Sequence, residues 1–277
     1  MSHRREAARL PALLAGLCLL LPLAGCEQGA SPVVEFTDAL ARKDMDAAMS
    51  ALTFVATLEL EGTTFRGPAE IRDVLATLEV QSLPDDVKKS MVVEDGRVSW
   101  TQSYSTAEYA AFGIAPVEAL VEATLTSSGI SIIKWELTPD ASAKLQAART
   151  ARVTTVLSSL ESALNAHDGD AIRGLLHERA RIEWLGDVIT GEEQLTDWLK
   201  ELGKVNARVE RANEPSIDDD SAEWSARIST SELSRLALAP VDVKAMMRTS
   251  DGKITRVGMV PSPEVLARLK GLAAKKL

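Results

Sequence analysis

Ala39-Leu40-Ala41-Arg42-Lys43-Asp44-Met45-Asp46 and Ala163-Leu164-Asn165-Ala166-His167-Asp168-Gly169-Asp170 decide how this chain is divided. Each carries an Ala-Leu pair at the end of an apolar helical pattern and then Asp-x-Asp, and the two lie 124 residues apart. Working outward, the same offset places Leu52 on Leu176, Glu59 on Glu183, Gly62 and Gly67 on Gly186 and Gly191, and Leu75 and Leu78 on Leu199 and Leu202. Trp100 falls on Trp224, Ser105-Thr106 with Glu108 on Ser229-Thr230 with Glu232, and Ala115-Pro116-Val117 on Ala239-Pro240-Val241. Chance does not hold one register from Phe36 to Val117. The period is far longer than a solenoid unit, and each copy is large enough to own a core. Two tandem domains of one fold are expected.

The periodicities outline each copy. Val156, Leu160, Ala163 and Leu164 recur at helical spacing, and Asp168 breaks the chain and caps a second helix carrying Ile172 and Leu175. Ala180, Ile182 and Trp184 then alternate with charged residues, as in a strand with one covered face. Gly186 and Gly191 bracket a turn, and Leu195, Trp198, Leu199 and Leu202 line one side of a third helix. The first copy repeats this with Phe36/Leu40, Ala48/Leu52, Ala56/Leu58/Leu60 and Ile71/Leu75/Leu78. In its back half Val98, Trp100, Gln102 and Tyr104 share one strand face, matched by Ala222, Trp224, Ala226 and Ile228. Ser105 and Ser229 stand three residues before Glu108 and Glu232, a capping-box spacing that starts a short helical turn. Helices first and antiparallel strands afterwards make an α+β layout. Residues 140–155 read as a helix running into the second copy, which predicts a stiff junction.

The 277 residues are 45% hydrophobic and 26% charged, with net charge −9, an ordinary globular composition. Residues 1–25 are read apart from the fold. Arg4, Arg5 and Arg9 precede the apolar run Leu10 to Leu23, the charged and hydrophobic regions of a secretory signal. The run ends in Leu23-Ala24-Gly25-Cys26, which resembles the lipobox of bacterial lipoproteins; this implies cleavage before Cys26 and acylation of its thiol. Residues 26–32 read as a tether, and Glu27, in place of the Asp typical of inner-membrane retention, points to the periplasmic face of a Gram-negative outer membrane. Removing the signal takes three Arg and one Glu, so the remainder is more acidic still, which argues against a nucleic-acid partner. Only Cys26 remains as a thiol, so no disulfide or cysteine nucleophile is expected in the folded body.

A helix, an Ala-Leu then Asp-x-Asp break, a second helix, a strand, a Gly-x4-Gly turn, a third helix and a meander ending in Asp251-Gly252-Lys253-Ile254 resembles the nuclear transport factor 2-like superfamily. Within it the chain is most similar to SnoaL-like domains: Phe112-Gly113-Ile114-Ala115-Pro116-Val117 and Trp135 echo the hairpin and final strand of SnoaL-type polyketide cyclases. The resemblance implies two tandem cone-shaped α+β domains, residues 33–148 and 149–277. Each would pack N-terminal helices on a curved antiparallel sheet, with a pocket at the wide end. That fold hosts enzymes, carriers and oligomerisation modules alike, so function has to come from the residues.

The ketosteroid isomerases of the superfamily hold an oxyanion with a tyrosine on the first helix and use a carboxylate on the first strand as base. Those positions fall on Phe36 and Leu160, and on Leu60 and Trp184, none of which moves a proton. No catalytic residue, metal ligand set or cofactor is therefore assigned. Glu59 and Glu183 are symmetric equivalents in separate domains, and Glu108 and Glu232 read as caps. His167 and His177, with no cysteine near, form no recognisable metal site. Trp100, Gln102, Tyr104, Tyr109 and Trp135 remain as candidate lining of an apolar ligand site in the first copy. The second copy has Ala226, Ile228 and Leu233 instead and reads as a filled, structural domain. The expectation is a non-catalytic envelope lipoprotein, held to the bilayer by acylated Cys26, that binds a small apolar ligand or another envelope protein. The alternative is a SnoaL-like lyase or isomerase acting in the first domain through Glu136, Tyr104 or Asp140. A third reading is a scaffold with both pockets filled. Tyr104 and a carboxylate meeting inside an open cavity would favour the enzyme.

Overall fold

Asp44 and Asp168 act as their spacing implies, each accepting the backbone N–H three residues on, from Ala47 at 3.0 Å and Ala171 at 2.9 Å. The computed structural model describes residues 30–274. In the first domain α1 (Ser31–Ala41) and α2 (Met45–Ser50) lead into the hairpin β1 (Leu52–Leu60) and β2 (Thr63–Arg66). Next come α3 (Gly67–Leu75), β3 (Glu79–Val80) and α4 (Asp85–Ser90), then β4 (Arg97–Ser105), α5 (Ala107–Ala111), β5 (Val117–Thr126) and β6 (Gly129–Leu137). A helix of 28 residues, α6 (Pro139–Ala166), joins this to a second set. It comprises α7 (Gly169–Leu175), β7 (Leu176–Trp184), β8 (Asp187–Thr190), α8 (Glu192–Lys204), β9 (Arg208–Arg211) and β10 (Ser216–Asp218). It continues with β11 (Ser221–Ser229), α9 (Ser231–Arg235), β12 (Val241–Ser250), β13 (Lys253–Pro261) and α10 (Pro263–Ala274).

The architecture is α+β, with helices packed on two curved sheets, one to each cone-like domain. The first sheet runs β2-β1-β6-β5-β4-β3; the second runs β10-β11-β12-β13-β7-β8, with β9 also on β11. Every ladder is antiparallel except one in each sheet. There β1 lies parallel to β6, and β7 parallel to β13. The antiparallel sheet expected from the meander is therefore mixed, because the last strand returns beside the first across the whole domain. Both parallel ladders slip register at one place, between Leu52 and Thr57 and between Leu176 and Arg181. Left-handed residues also repeat at the same offset: Lys43 with His167, Glu61 with Leu185, Asp95 with Asp219, and Gly113 with Ala237. Irregularities are not dictated by hydrophobic patterning, so their recurrence supports a duplicated backbone.

Two cores share no residue. Phe36, Leu58, Ile71 and Trp135 belong to the first, and Leu160, Leu164, Ile182 and Trp224 to the second. Their division falls inside α6, whose Ala141 and Leu145 enter the first core and whose Val153, Leu157 and Leu160 enter the second. Between those anchors Arg149 reaches Glu108 at 3.0 Å in the first domain and Asp219 at 3.6 Å in the second. Arg152 stacks over the Phe112 ring, 5.1 Å from its centroid. The helix expected across residues 140–155 is thus one continuous rod clipped to both neighbours.

Three expectations need amendment. Helix α1 already begins at Ser31, inside the expected tether of residues 26–32, because Pro32 in its first turn is preorganised for helix. The caps of α5 and α9 are Thr106 and Thr230, which accept the N–H of Tyr109 at 3.1 Å and Leu233 at 3.0 Å, not the serines before them. Finally, the repeat is not gapless in space. Val80 pairs with Tyr104, whereas Val209 pairs with Ile228, so five extra residues have entered α8 and its exit and are removed again before β11. Leu202 matches Leu78 in register but sits within the lengthened helix α8, not on the approach to the strand.

Candidate functional site

The site begins with a turn. Leu60 pairs directly with Thr63, leaving Glu61-Gly62 as a two-residue hairpin loop with φ of 49° and 80°, the geometry that fits the twist of the strands. The Glu61 N–H donates to the Trp135 carbonyl at 2.9 Å, which seats the turn against the last strand. Tyr104 arrives from β4 and Tyr109 from the first turn of α5, and both hydroxyls donate to the same carboxylate oxygen, Glu61 Oε1. The two rings pack edge to face at 5.8 Å, and Trp135 packs on Tyr104 likewise at 5.4 Å. Tyr104, Tyr109 and Trp135 are buried. Burial raises both phenols above their ordinary value, and the bond to Glu61 raises them further because an anion would face an anion.

Tyr104 therefore does meet a carboxylate, but neither of the expected ones. Glu136 follows the buried Trp135 on β6, so alternation puts it on the outer face of the sheet. Asp140 lies exposed on α6, paired with Lys144 at 2.7 Å. The other candidates serve the fold: Gln102 donates to the Gln81 carbonyl at 2.7 Å and the Ser103 carbonyl at 3.0 Å, and accepts Trp100 Nε1–H at 3.3 Å. Sequence reasoning missed Glu61 because its repeat partner is Leu185 and its phenols lie 43 and 48 residues away. The Glu-Gly pair at a hairpin turn was the one available signal.

In the second domain the same turn carries Leu185-Gly186, with φ of 52° and 99°. A leucine in the left-handed region costs about 1–2 kcal/mol, so an apolar side chain is held at this spot against backbone preference. Beside it Trp184 on β7 meets Trp198 on α8 edge to face, with ring centroids 5.7 Å apart. These residues open onto a solvent-accessible cavity of about 560 Å3. Leu202 and Val205 come from α8 and its C-cap, Leu233 and Leu236 from α9 and its C-cap, and Leu269 of α10 contributes a further wall. At the repeat positions of Tyr104, Tyr109 and Trp135 the second domain has the smaller Ile228, Leu233 and Met259, and at those of Leu60 and Val74 it has the larger Trp184 and Trp198. Trp198 Nε1–H is buried without an acceptor among the described residues. Ile189, Thr230 and four acidic residues, Asp187, Asp197, Glu201 and Glu232, complete the lining. The open apolar space thus lies in the domain that the sequence reads as filled.

Of two hollows on the first domain, one of about 640 Å3 is lined by Val92 and polar groups such as Glu94, Arg97 and Glu122, and one of about 630 Å3 sets Trp100, Leu120 and Val121 beside Arg97, Glu122, Lys134 and Glu136. His167 caps the end of α6 and bonds the Ala207 carbonyl at 2.8 Å, while His177 accepts the Arg179 N–H at 3.1 Å. Glu183 faces Arg256 at 3.8 Å. Cys26 and the signal region lie outside the described residues. Among the described residues, no three His, Cys, Asp or Glu side chains gather as metal ligands.

No family model matches the chain, and no curated protein matches it. Among solved structures it is similar to a candidate polyketide cyclase from Sinorhizobium meliloti, at 23% identity over 38% of this chain and 93% of that one, with a TM-score of 0.34. It is also similar to an LEH-like epoxide hydrolase of M. tuberculosis, at 20% identity over 45% and 89% of the two chains, with a TM-score of 0.35. An NTF2-like protein of unknown function from Cytophaga hutchinsonii matches at 15% identity over 40% and 91%, with a TM-score of 0.34.

Proposed function

We propose that this chain is a lipid-anchored envelope protein of two tandem SnoaL-like domains, of the nuclear transport factor 2-like kind, whose second domain binds one small apolar ligand without transforming it. The cavity beside Trp184 and Trp198 carries this reading. Its volume of about 560 Å3 lies in the range of small-molecule sites, roughly 300–1,000 Å3. Among the described residues its walls hold no cysteine, histidine or lysine, the Thr230 hydroxyl already caps α9, and three of its four carboxylates are ion-paired with Lys200, Lys204 and Arg235. Binding without chemistry is what such a lining supports.

The neutral fluorophore N-phenyl-1-naphthylamine tests it. Saturable one-to-one binding is expected, weakened at least about tenfold by Leu236→Glu, which sets a carboxylate into an apolar wall, and unchanged by Tyr104→Phe in the other domain. Unsaturable binding, or equal binding by Leu236→Glu, would remove the second domain as receptor. The anchor is tested separately: metabolic palmitate label should be present in the wild type and absent from Cys26→Ser, which should also move to the soluble fraction. Label retained by Cys26→Ser would refute that attachment site.

One observation favours a second reading. Two phenols and a carboxylate converge in the first domain, a set that can hold or pass a proton, as a lyase or isomerase of the SnoaL-like kind would need. Both phenols are buried and donate to one oxygen of Glu61, so binding in the second domain is the better supported function.

A further inference from the structure

The cavity of the second domain, taken as the ligand site proposed above, has walls of one chemistry and a rim of another. Four of its lining residues are acidic and, among the described residues, none is basic. Asp187 opens β8, Asp197 and Glu201 stand four apart on one face of α8, and Glu232 belongs to α9. Several elements therefore deliver negative charge to one opening. The cations nearest in sequence are Lys200, Lys204 and Arg235, which pair with Asp197 at 3.6 Å, Glu201 at 2.5 Å and Glu232 at 3.4 Å. All three pairs join residues three apart on the solvent side of a helix and none of these cations lines the cavity. Exposed pairs of this kind are worth about 0–1 kcal/mol, so an incoming cation competes with them readily. A cleft of one sign with low-dielectric walls focuses field lines into itself. Two indoles, packed edge to face at 5.7 Å, line the same space, and an indole face attracts a cation.

The repeat sharpens the comparison. In the first domain the positions of Trp184, Trp198 and Asp187 are occupied by Leu60, Val74 and Thr63, and the turn of α8 that carries Glu201 has no counterpart in α3, which ends at Leu75. Both indoles and two of the four carboxylates are thus particular to the domain that has the cavity. We infer that the second-domain ligand is an apolar amine: a hydrophobic body seated between Trp184, Trp198 and the leucines, with a protonated nitrogen at the acidic rim. This rests on the proposed function, and it names the ligand class that the function leaves open.

Three probes of one shape separate the two claims: 1-naphthylmethylamine, 1-naphthalenemethanol and 1-naphthoate, each titrated calorimetrically into the full chain. The amine is expected to bind about tenfold more tightly than the alcohol, and the carboxylate least well, consistent with a cation–π contact plus weak ion pairs. The preference should shrink as salt rises from about 20 to about 500 mM, because rim charges are screened. In the double variant Asp187→Asn/Glu201→Gln the amine and alcohol affinities should converge to within about twofold. An alcohol as tight as the amine, or a tighter carboxylate, overturns the amine inference and leaves the apolar receptor standing. Failure of all three to bind overturns both.

Discussion

Phe36→Ala should destabilise the first domain by about 3–5 kcal/mol and leave probe binding by the second domain in place. Phe36 is fully buried in the first core and shares no core cluster with any residue of the second. Removing its ring takes away both the burial and the packing of the helix that closes the cone, and the neighbours collapse only partly into the void. Leu160→Ala, at the matched position on α6, should cost about 2–5 kcal/mol on the other side and abolish probe binding at lower denaturant. Denaturant titration read by tryptophan fluorescence, with probe bound in parallel, distinguishes the two. Equal loss of binding in both variants would mean that the rod α6 makes the domains one cooperative unit, against the separation of their cores.

The second large effect is alkaline. The chain has only two tyrosines, and both are held above the ordinary value of 10.0 by burial and by Glu61. Above pH 10 the unfolded chain releases those protons while the folded chain retains them. The contribution of the two phenols to stability is therefore complete below that pH and is lost above it, with a limiting slope of about 1.4 kcal/mol per pH unit for each tyrosine. Tyrosinate absorbance should rise only together with unfolding, and the Tyr104→Phe/Tyr109→Phe double variant should lose most of this steep dependence. Ordinary titration near pH 10 in the folded protein would show that the phenols are open to solvent.

Local chemistry was legible in the sequence, and tertiary geometry was not. Asp44 and Asp168 announced their caps because a side-chain oxygen three residues before a free N–H is a local arrangement. Alternation at Ala56/Leu58/Leu60 and Ala180/Ile182/Trp184 announced strands for the same reason. The extra residues of α8 stayed hidden because Leu199 and Leu202 fit the apolar pattern of Leu75 and Leu78 whether or not the helix is lengthened. Parallel pairing of β1 with β6 was invisible, since it joins segments some 75 residues apart. Glu61 acquires its role from a turn and two distant phenols. The cavity was not legible because its walls come from segments far apart in the chain, from Trp184 on β7 to Leu269 on α10. Polar residues pointed to the first domain, yet Gln102, Tyr104 and Tyr109 use their hydrogen bonds on Trp100, Glu61 and nearby backbone carbonyls.

All five tryptophans lie in the two domains, Trp100 and Trp135 in the first and Trp184, Trp198 and Trp224 in the second. Fluorine NMR of protein labelled with 5-fluorotryptophan, each signal assigned by single Trp→Phe variants, therefore locates the ligand directly. On addition of N-phenyl-1-naphthylamine the Trp184 and Trp198 signals should move together while Trp100 and Trp135 stay fixed. Movement of Trp135 with a silent Trp184 and Trp198 would put the receptor beside Tyr104 and Glu61 and contradict a ligand site in the second domain.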